Sequence, residues 1–439
     1  MEVRKMKRII ALLLVFSLVL ALAACGAGNA TPSASSSSPA ASSSAASESP
    51  AVSSSAAAPA AKIGVILVHD DNTGYDAAHI EGIKKATAAA GFTDDQIIWK
   101  YNVSEDEKCM DAATDLVEKG CTTIFSDSYG HQSYMQQAAK ENPDVTFVSM
   151  TGDTAAVSKL PNFKNAFNWT FQSRYVSGVV AGMKLAELVK DGKVADKNKD
   201  KDGNIKLGYV GAYPYAEVVS GYTAFYLGVK SIVSNVVMDV QYTNSWYDPK
   251  AEGEAANAFI SKGCIIISQH ADSTGAPSAC EAALEGGTTI YCVGYNIDML
   301  SVAPKSALTS CQNDWGVYYT YAFNCIKNGE TIVTDWAKGY NDGAVMISKL
   351  GESCAAGTAE KVAEVEAALK DGSLQVFDIT KFTVGGKAID PATTKALDTN
   401  GDYIPDTGDA VANGAFAEST LRSAPYFGLR IDGITELTK

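Results

Sequence analysis

Much catalytic apparatus is missing from this chain. It has no CxxC pair, no GxSxG elbow, no P-loop, no GxGxxG after the first strand-like run and no HExxH. Those gaps remove the thiol redox pair, the acyl-transfer nucleophile, the phosphate cradle, the dinucleotide fingerprint and the zincin helix, so no enzyme class is favoured. Positive charge is scarce as well. Against 36 Lys and Arg stand 50 Asp and Glu, a net charge of −14, which argues against nucleic acid as a partner. Past the first apolar run, no stretch approaches the length of a membrane span.

That first run is the most informative part of the chain. Arg4, Lys5, Lys7 and Arg8 precede Ile9 to Leu20, and Leu22-Ala23-Ala24-Cys25 comes after it. A cationic start, a short apolar core and small residues before a cut describe a secretory signal peptide, and a cysteine in that place makes it a lipobox. The expectation is a signal peptide over residues 1–24, lipidation of Cys25 and anchorage to the outer face of a membrane by lipid alone. The competing reading is an ordinary signal peptide that has a cysteine near its cut. Residues 25–61 hold almost nothing but Ala, Ser and Pro, with Glu48 as their one charge. Such a segment has nothing to bury and reads as a solvated tether with a reach of roughly 30 to 35 Å.

From Lys62 onward the composition is that of a globule long enough for two domains. Short apolar runs alternate with helical periods: Ile63 to Val68, Gln96 to Val103, Thr122 to Ser126 and Val145 to Met150, then, past a long helix from about Gln172 to Lys190, a second series. That series is Lys206 to Val210, Val237 to Tyr242, Cys264 to Ser268, Thr289 to Val293 and Leu308 to Cys311. Strand, helix and strand in repetition predict α/β architecture, two doubly wound parallel-sheet lobes. The eight cysteines beyond Cys25 sit mostly in apolar periods and read as small buried hydrophobes. Two charged runs, Asp196 to Gly203 and 398–409, read as polar turns; the second has carboxylates at calcium-loop spacing but lacks the glycine and the final glutamate.

In open parallel sheets a ligand sits at the carboxyl ends of the strands. The exits here are His69 to Asp76, Asp127 to His131, Gly211 to Tyr215, Thr243 to Asp248, Gln269 to Gly275 and Gly294 to Asp298. Nearly every one joins an aromatic ring or histidine to a carboxylate or amide. Helix capping competes as the role of any single position, Asp127 and Thr274 included. The recurrence in both halves predicts a polar, aromatic-lined cleft suited to a nucleoside or a sugar. The candidate ligand-binding residues are Asp71, Tyr75, Asp76, Asp127, Trp246, His270, Thr274, Asn296 and Asp298. No cofactor is expected. Zinc on His69, His131 and His270 is the weaker alternative, and glycoside chemistry by Asp70, Asp71 and Asp76 weaker still.

Several segments together resemble a known family: Ile63-Gly64-Val65-Ile66, Glu81 to Ala86, Tyr175-Val176-Ser177-Gly178 with Ala181-Gly182, Gly208-Tyr209-Val210-Gly211, Asp272 to Gly275 and Val293 to Asp298. The family is that of the basic membrane proteins (PnrA-like), substrate-binding lipoproteins of ABC transporters, and the resemblance covers Lys62 to about Leu350. It implies a type I periplasmic-binding-protein fold whose lobes, 62–169 plus 312–344 and 170–311 plus 345–439, are joined by a hinge and close on a purine nucleoside. By the same resemblance Tyr75 falls on a stacking phenylalanine, Asp76 on a base-reading asparagine and Asn296 on a ribose-binding aspartate. Gln312 and Asn313 lie near a usual binding lysine. The partners implied are a small-molecule ligand, an ABC permease and ATPase complex, and the membrane through the lipid anchor. A ligand-sensing lipoprotein serving a membrane signalling receptor is the alternative on the same fold.

Overall fold

The computed structural model describes residues 61–398 and 408–437. The signal peptide, Cys25, the tether up to residue 60 and the middle of the 398–409 run lie outside the described residues.

Two sheets carry the architecture. The first comprises β1 (Lys62–Ile66), β2 (Ile97–Lys100), β3 (Cys121–Ser126), β4 (Thr146–Met150), β5 (Phe163–Asn168) and, from much later in the chain, a strand over Asp335–Lys338. The second begins with β6 (Ile205–Gly211), β7 (Val236–Tyr242), β8 (Ile266–Gln269), β9 (Tyr291–Tyr295) and β10 (Ala307–Asn313). Calling Asp335–Lys338 β11, the first sheet has the order β11-β5-β4-β3-β1-β2, parallel throughout. With β12 (Val345–Ile347) and a last strand over Ile434–Glu436 at its edges, the second runs β12-β10-β9-β8-β6-β7 and then that last strand; only β12 is antiparallel. The expected α/β class and its two parallel-sheet lobes are therefore present.

Helices cover both sheets. They are α1 (Gly74–Ala90), α2 (Glu107–Glu118), α3 (Gln132–Glu141), α4 (Thr170–Lys190), α5 (Ala216–Lys230), α6 (Pro249–Ser261), α7 (Gly275–Glu285), α8 (Trp315–Asn328) and α9 (Thr358–Lys370). In the second lobe α4 and α5 cross at touching distance: a Cβ on Gly178 would lie 2.2 Å from the Phe225 carbonyl oxygen, and one on Gly228 2.2 Å from that of Tyr175. Only glycine permits that approach, which lets Val176, Val179, Phe225 and Val229 close the core beneath β6.

The chain passes between the sheets three times, after β5, after β10 and after β11. Side chains tie these passages to one another. Asn313 Oδ1 accepts from Thr170 Oγ1 (2.8 Å) and Asn168 Nδ2 (3.3 Å), while Gln172 Oε1 accepts from the Tyr340 amide (2.8 Å).

Four strands of the two large sheets escaped the apolar pattern, β5, β11, β12 and the last one, as did the two short hairpins Thr383–Val384 with Lys387–Ala388 and Val411–Ala412 with Ala415–Phe416. In β5, Phe163-Lys164-Asn165-Ala166-Phe167-Asn168, every residue is buried, yet half are polar. Asn165 is bound locally, its Nδ2 donating to the Ser149 carbonyl and its Oδ1 accepting from the Ala155 amide, whereas Asn168 reaches across to Asn313. The Asp196 to Gly203 run is a self-satisfied turn in which Asp200 Oδ1 accepts from the amides of Asp202 and Asn204. All eight described cysteines are free thiols, seven of them buried.

Candidate functional site

All but one of the strands that build the sheets are parallel within their sheet, and their carboxyl ends converge on a cavity of about 510 Å³. From the first lobe, Val68 and His69 follow β1, Ser128 and Tyr129 follow β3, Thr151 follows β4, and Phe167 lies near the end of β5. From the second, Glu217 sits in the first turn of α5, Trp246 follows β7, His270 and Asp272 follow β8, and Tyr295 ends β9. Asn313 ends β10 and Trp315 opens α8, on either side of the crossing.

The first-lobe wall is built around Asp76. Its Oδ1 accepts from the His69 amide at 2.7 Å and its Oδ2 from Thr73 Oγ1 at 2.5 Å, with His69 Nδ1 3.5 Å from Oδ2. Burial works against its charge, but the His69 ring, the Thr73 hydroxyl and the His69 amide together hold it below the usual carboxylate value. The same bond to Asp76 raises His69. Behind it Asp127 is fully enclosed: Oδ1 accepts from the Val68 amide (3.0 Å), and burial followed by the Asp76 charge pushes its carboxyl well up. Tyr75 donates its hydroxyl to the Asp127 carbonyl at 2.5 Å, which orients the ring at the cavity wall.

In the second lobe Asp272 faces the cavity and its Oδ1 accepts from Asn296 Nδ2 at 2.7 Å. Burial drives Asp272 well above the ordinary carboxylate range. His270 is buried and held neutral, burial first and the Arg174 charge second pushing it well down. Arg174 is fully buried, donates Nη1 to the Gln269 carbonyl and places its guanidinium 3.7 Å from the centre of the Tyr295 ring. Burial pushes Glu217 up to about 8, Arg174 partly opposing the shift.

Of the sequence candidates, Tyr75, Asp76, Trp246 and His270 come together on the cavity wall. Asp127 and Asn296 stand directly behind it, each touching a wall residue. Asp71 is exposed in the loop before α1, Thr274 leads into α7 without a side-chain capping bond, and Asp298 caps the short turn after β9 by accepting from the Leu300 amide. These three are not brought to the cavity. Nor are the three histidines gathered: His131 Nε2 is engaged with the Val103 carbonyl, away from His69 and His270. Sequence reasoning missed Glu217, Trp315 and Arg174. Glu217 lies two residues past the exit segment as drawn, and Arg174 was legible only as a charge in the otherwise uncharged first half of α4.

Comparison with known proteins gives this geometry a context. Residues 62–376 match the family described as ABC transporter substrate-binding protein PnrA-like. A purine-binding protein of Brucella abortus (strain 2308) is 30% identical over 321 residues, 72% of this chain and 83% of that protein. A protein of Haloferax volcanii described as a candidate ABC transporter glucose-binding protein is 28% identical over 259 residues, 59% of this chain and 60% of its own. Among solved structures, an ABC transporter solute-binding protein from Aeropyrum pernix K1 superposes with a TM-score of 0.60 at 14% identity, covering 72% of this chain and 93% of that one. Among the described residues no helix is long and apolar enough to cross a membrane.

Proposed function

The chain belongs to the PnrA-like family of ABC transporter substrate-binding proteins, and on that premise we propose that it captures a nucleoside between its two lobes and presents it to a membrane permease driven by an ATPase. One observation carries the reading: ring faces from both lobes, Tyr75, Trp246 and Tyr295, share one cavity with the hydrogen-bonding groups of Asp76, Asp272 and Asn313. Aromatic faces stack a heterocycle, and carboxylates accept from vicinal hydroxyls and exocyclic amines.

Capture proceeds by closure. A ligand touching both walls binds the closed form more tightly than the open one and shifts the population accordingly. The three chain crossings, tied by Asn313 and Gln172, are the hinge on this account. Cys25, acylated after removal of residues 1–24, keeps the globule at the extracytoplasmic face within reach of its permease. Support for the purine ring comes from the Brucella relative, described as purine-binding; the Haloferax relative favours a sugar as the second reading.

Thermal melting of the full chain against nucleosides, free bases and sugars tests this. A nucleoside present at about 100 times its Kd should add roughly 2.7 kcal/mol of stability. A shift with glucose and none with any nucleoside transfers the assignment to the sugar.

A further inference from the structure

Three polar atoms of residues on the cavity wall are buried without a partner among the described residues: His270 Nδ1, Asn313 Nδ2 and Trp315 Nε1. A buried polar group left unpaired is costly, so each calls for a partner. His270 Nδ1 faces α5, where a Cβ added to Gly221 would lie 3.0 Å from it. The other two flank the crossing after β10, on side chains that are 7% and 1% exposed.

Both are fixed in place and in kind. Asn313 Oδ1 accepts from Thr170 and Asn168, which makes the unengaged end of this amide the donor. Trp315 stacks on the His79 ring, with centres 4.5 Å and planes 20° apart, and His79 Nδ1 is in turn 2.8 Å from the Tyr319 hydroxyl. Helix α1 closes on the same residue: a Cβ on Gly82 would lie 2.7 Å from the Gly316 nitrogen and 3.1 Å from Trp315 Cβ. An indole nitrogen only donates. No lysine or arginine lines the cavity among the described residues, so these are neutral donors and they suit neutral acceptors, a carbonyl oxygen or a ring nitrogen.

Nucleobases differ in this respect. A 6-oxopurine carries two acceptors side by side on one edge, the carbonyl O6 and the ring nitrogen N7, whereas a 6-aminopurine sets N7 beside an amine that donates. An amine placed against an N–H leaves both groups unpaired.

We propose that Asn313 Nδ2 and Trp315 Nε1 read the O6 and N7 edge of the base, so that the cleft selects 6-oxopurine nucleosides over adenosine. The inference rests on the nucleoside reading of the cleft and narrows it. It makes Trp315, which sequence reasoning missed, a determinant of specificity.

Calorimetric titration of the full chain with inosine, guanosine, adenosine, 7-deazaguanosine and glucose tests it. Inosine and guanosine should bind roughly tenfold more tightly than adenosine, and 7-deazaguanosine, which lacks the N7 acceptor, roughly tenfold less tightly than guanosine. Trp315→Phe keeps a ring against His79 and removes the N–H; Asn313→Asp keeps the oxygen that Thr170 and Asn168 engage and removes the donor. Each should reduce the preference for inosine over adenosine. The wild-type series decides even where a variant fails to fold. Adenosine bound as tightly as inosine, 7-deazaguanosine bound as tightly as guanosine, or a preference unchanged in both folded variants would refute the edge reading and leave the nucleoside reading standing. Binding of glucose and of no nucleoside, or of no probe at all, would overturn both.

Discussion

Asn296 donates its side-chain amide to Asp272 across 2.7 Å while its own backbone sits in the left-handed region at φ 60°. Asparagine tolerates that conformation better than most residues. The pairing fixes the cavity carboxylate of the second lobe from behind. Replacing Asn296 with Ala removes a buried hydrogen bond at a strained position. It should lower stability by about 1–3 kcal/mol, and ligand affinity should fall as well even though Asn296 does not line the cavity. Urea denaturation and calorimetry on the same variant check both.

Stacking gives the second prediction. Tyr75→Ala and Trp246→Ala should each weaken nucleoside binding by about 1–3 kcal/mol if their faces carry the base. Trp246 also meets Tyr213 edge-on at 5.0 Å, so its removal should cost some stability too. Affinity unchanged in both variants would reduce these residues to packing.

The third concerns pH. Burial pushes Glu217 up to about 8, and Glu252 and Glu418 each up to about 7. The folded protein keeps these protons after the unfolded chain has released its own, so stability falls as pH rises toward 8. Buried His79, pushed down to about 3 by desolvation, works in the opposite sense, but only below the ordinary histidine pKa of about 6.5. Ligand-free protein should therefore lose stability between pH 6.5 and 8. Glu217→Gln should flatten that decline by up to about 1.4 kcal/mol per pH unit, as followed by melting temperature.

The fourth is structural. Gly178→Val forces a side chain against the Phe225 carbonyl, which the added Cβ alone would approach to 2.2 Å. Helices α4 and α5 must separate, at a cost of about 2–4 kcal/mol or more, beyond the usual range for overpacking because the obstacle is backbone. Chemical denaturation should show it.

Much of this was legible in the sequence, and the exceptions share a cause. Strands such as Ile205–Gly211 and helices such as Gly74–Ala90 announced themselves by period, and the strand-exit rule reached Tyr75, Asp76, Trp246 and His270. The rule fails where burial is not apolar. Strand β5 hides Lys164, Asn165 and Asn168 inside the sheet, and no periodicity of hydrophobic residues reveals it. Arg174 is buried in an apolar helix because the Tyr295 face and the Gln269 carbonyl receive it, partners more than ninety positions away in the chain. The described residues after 376 make only two- and three-residue strands, too short to register as a pattern, yet Leu397 and Pro425 line a cavity beside the cleft.

Small-angle scattering from the full chain, with and without saturating adenosine, guanosine, inosine and uridine, tests capture by closure most directly. The account predicts a smaller radius of gyration with at least one of these nucleosides and a curve that returns to the free form when it is dialysed away. Superimposable curves under every condition would contradict it.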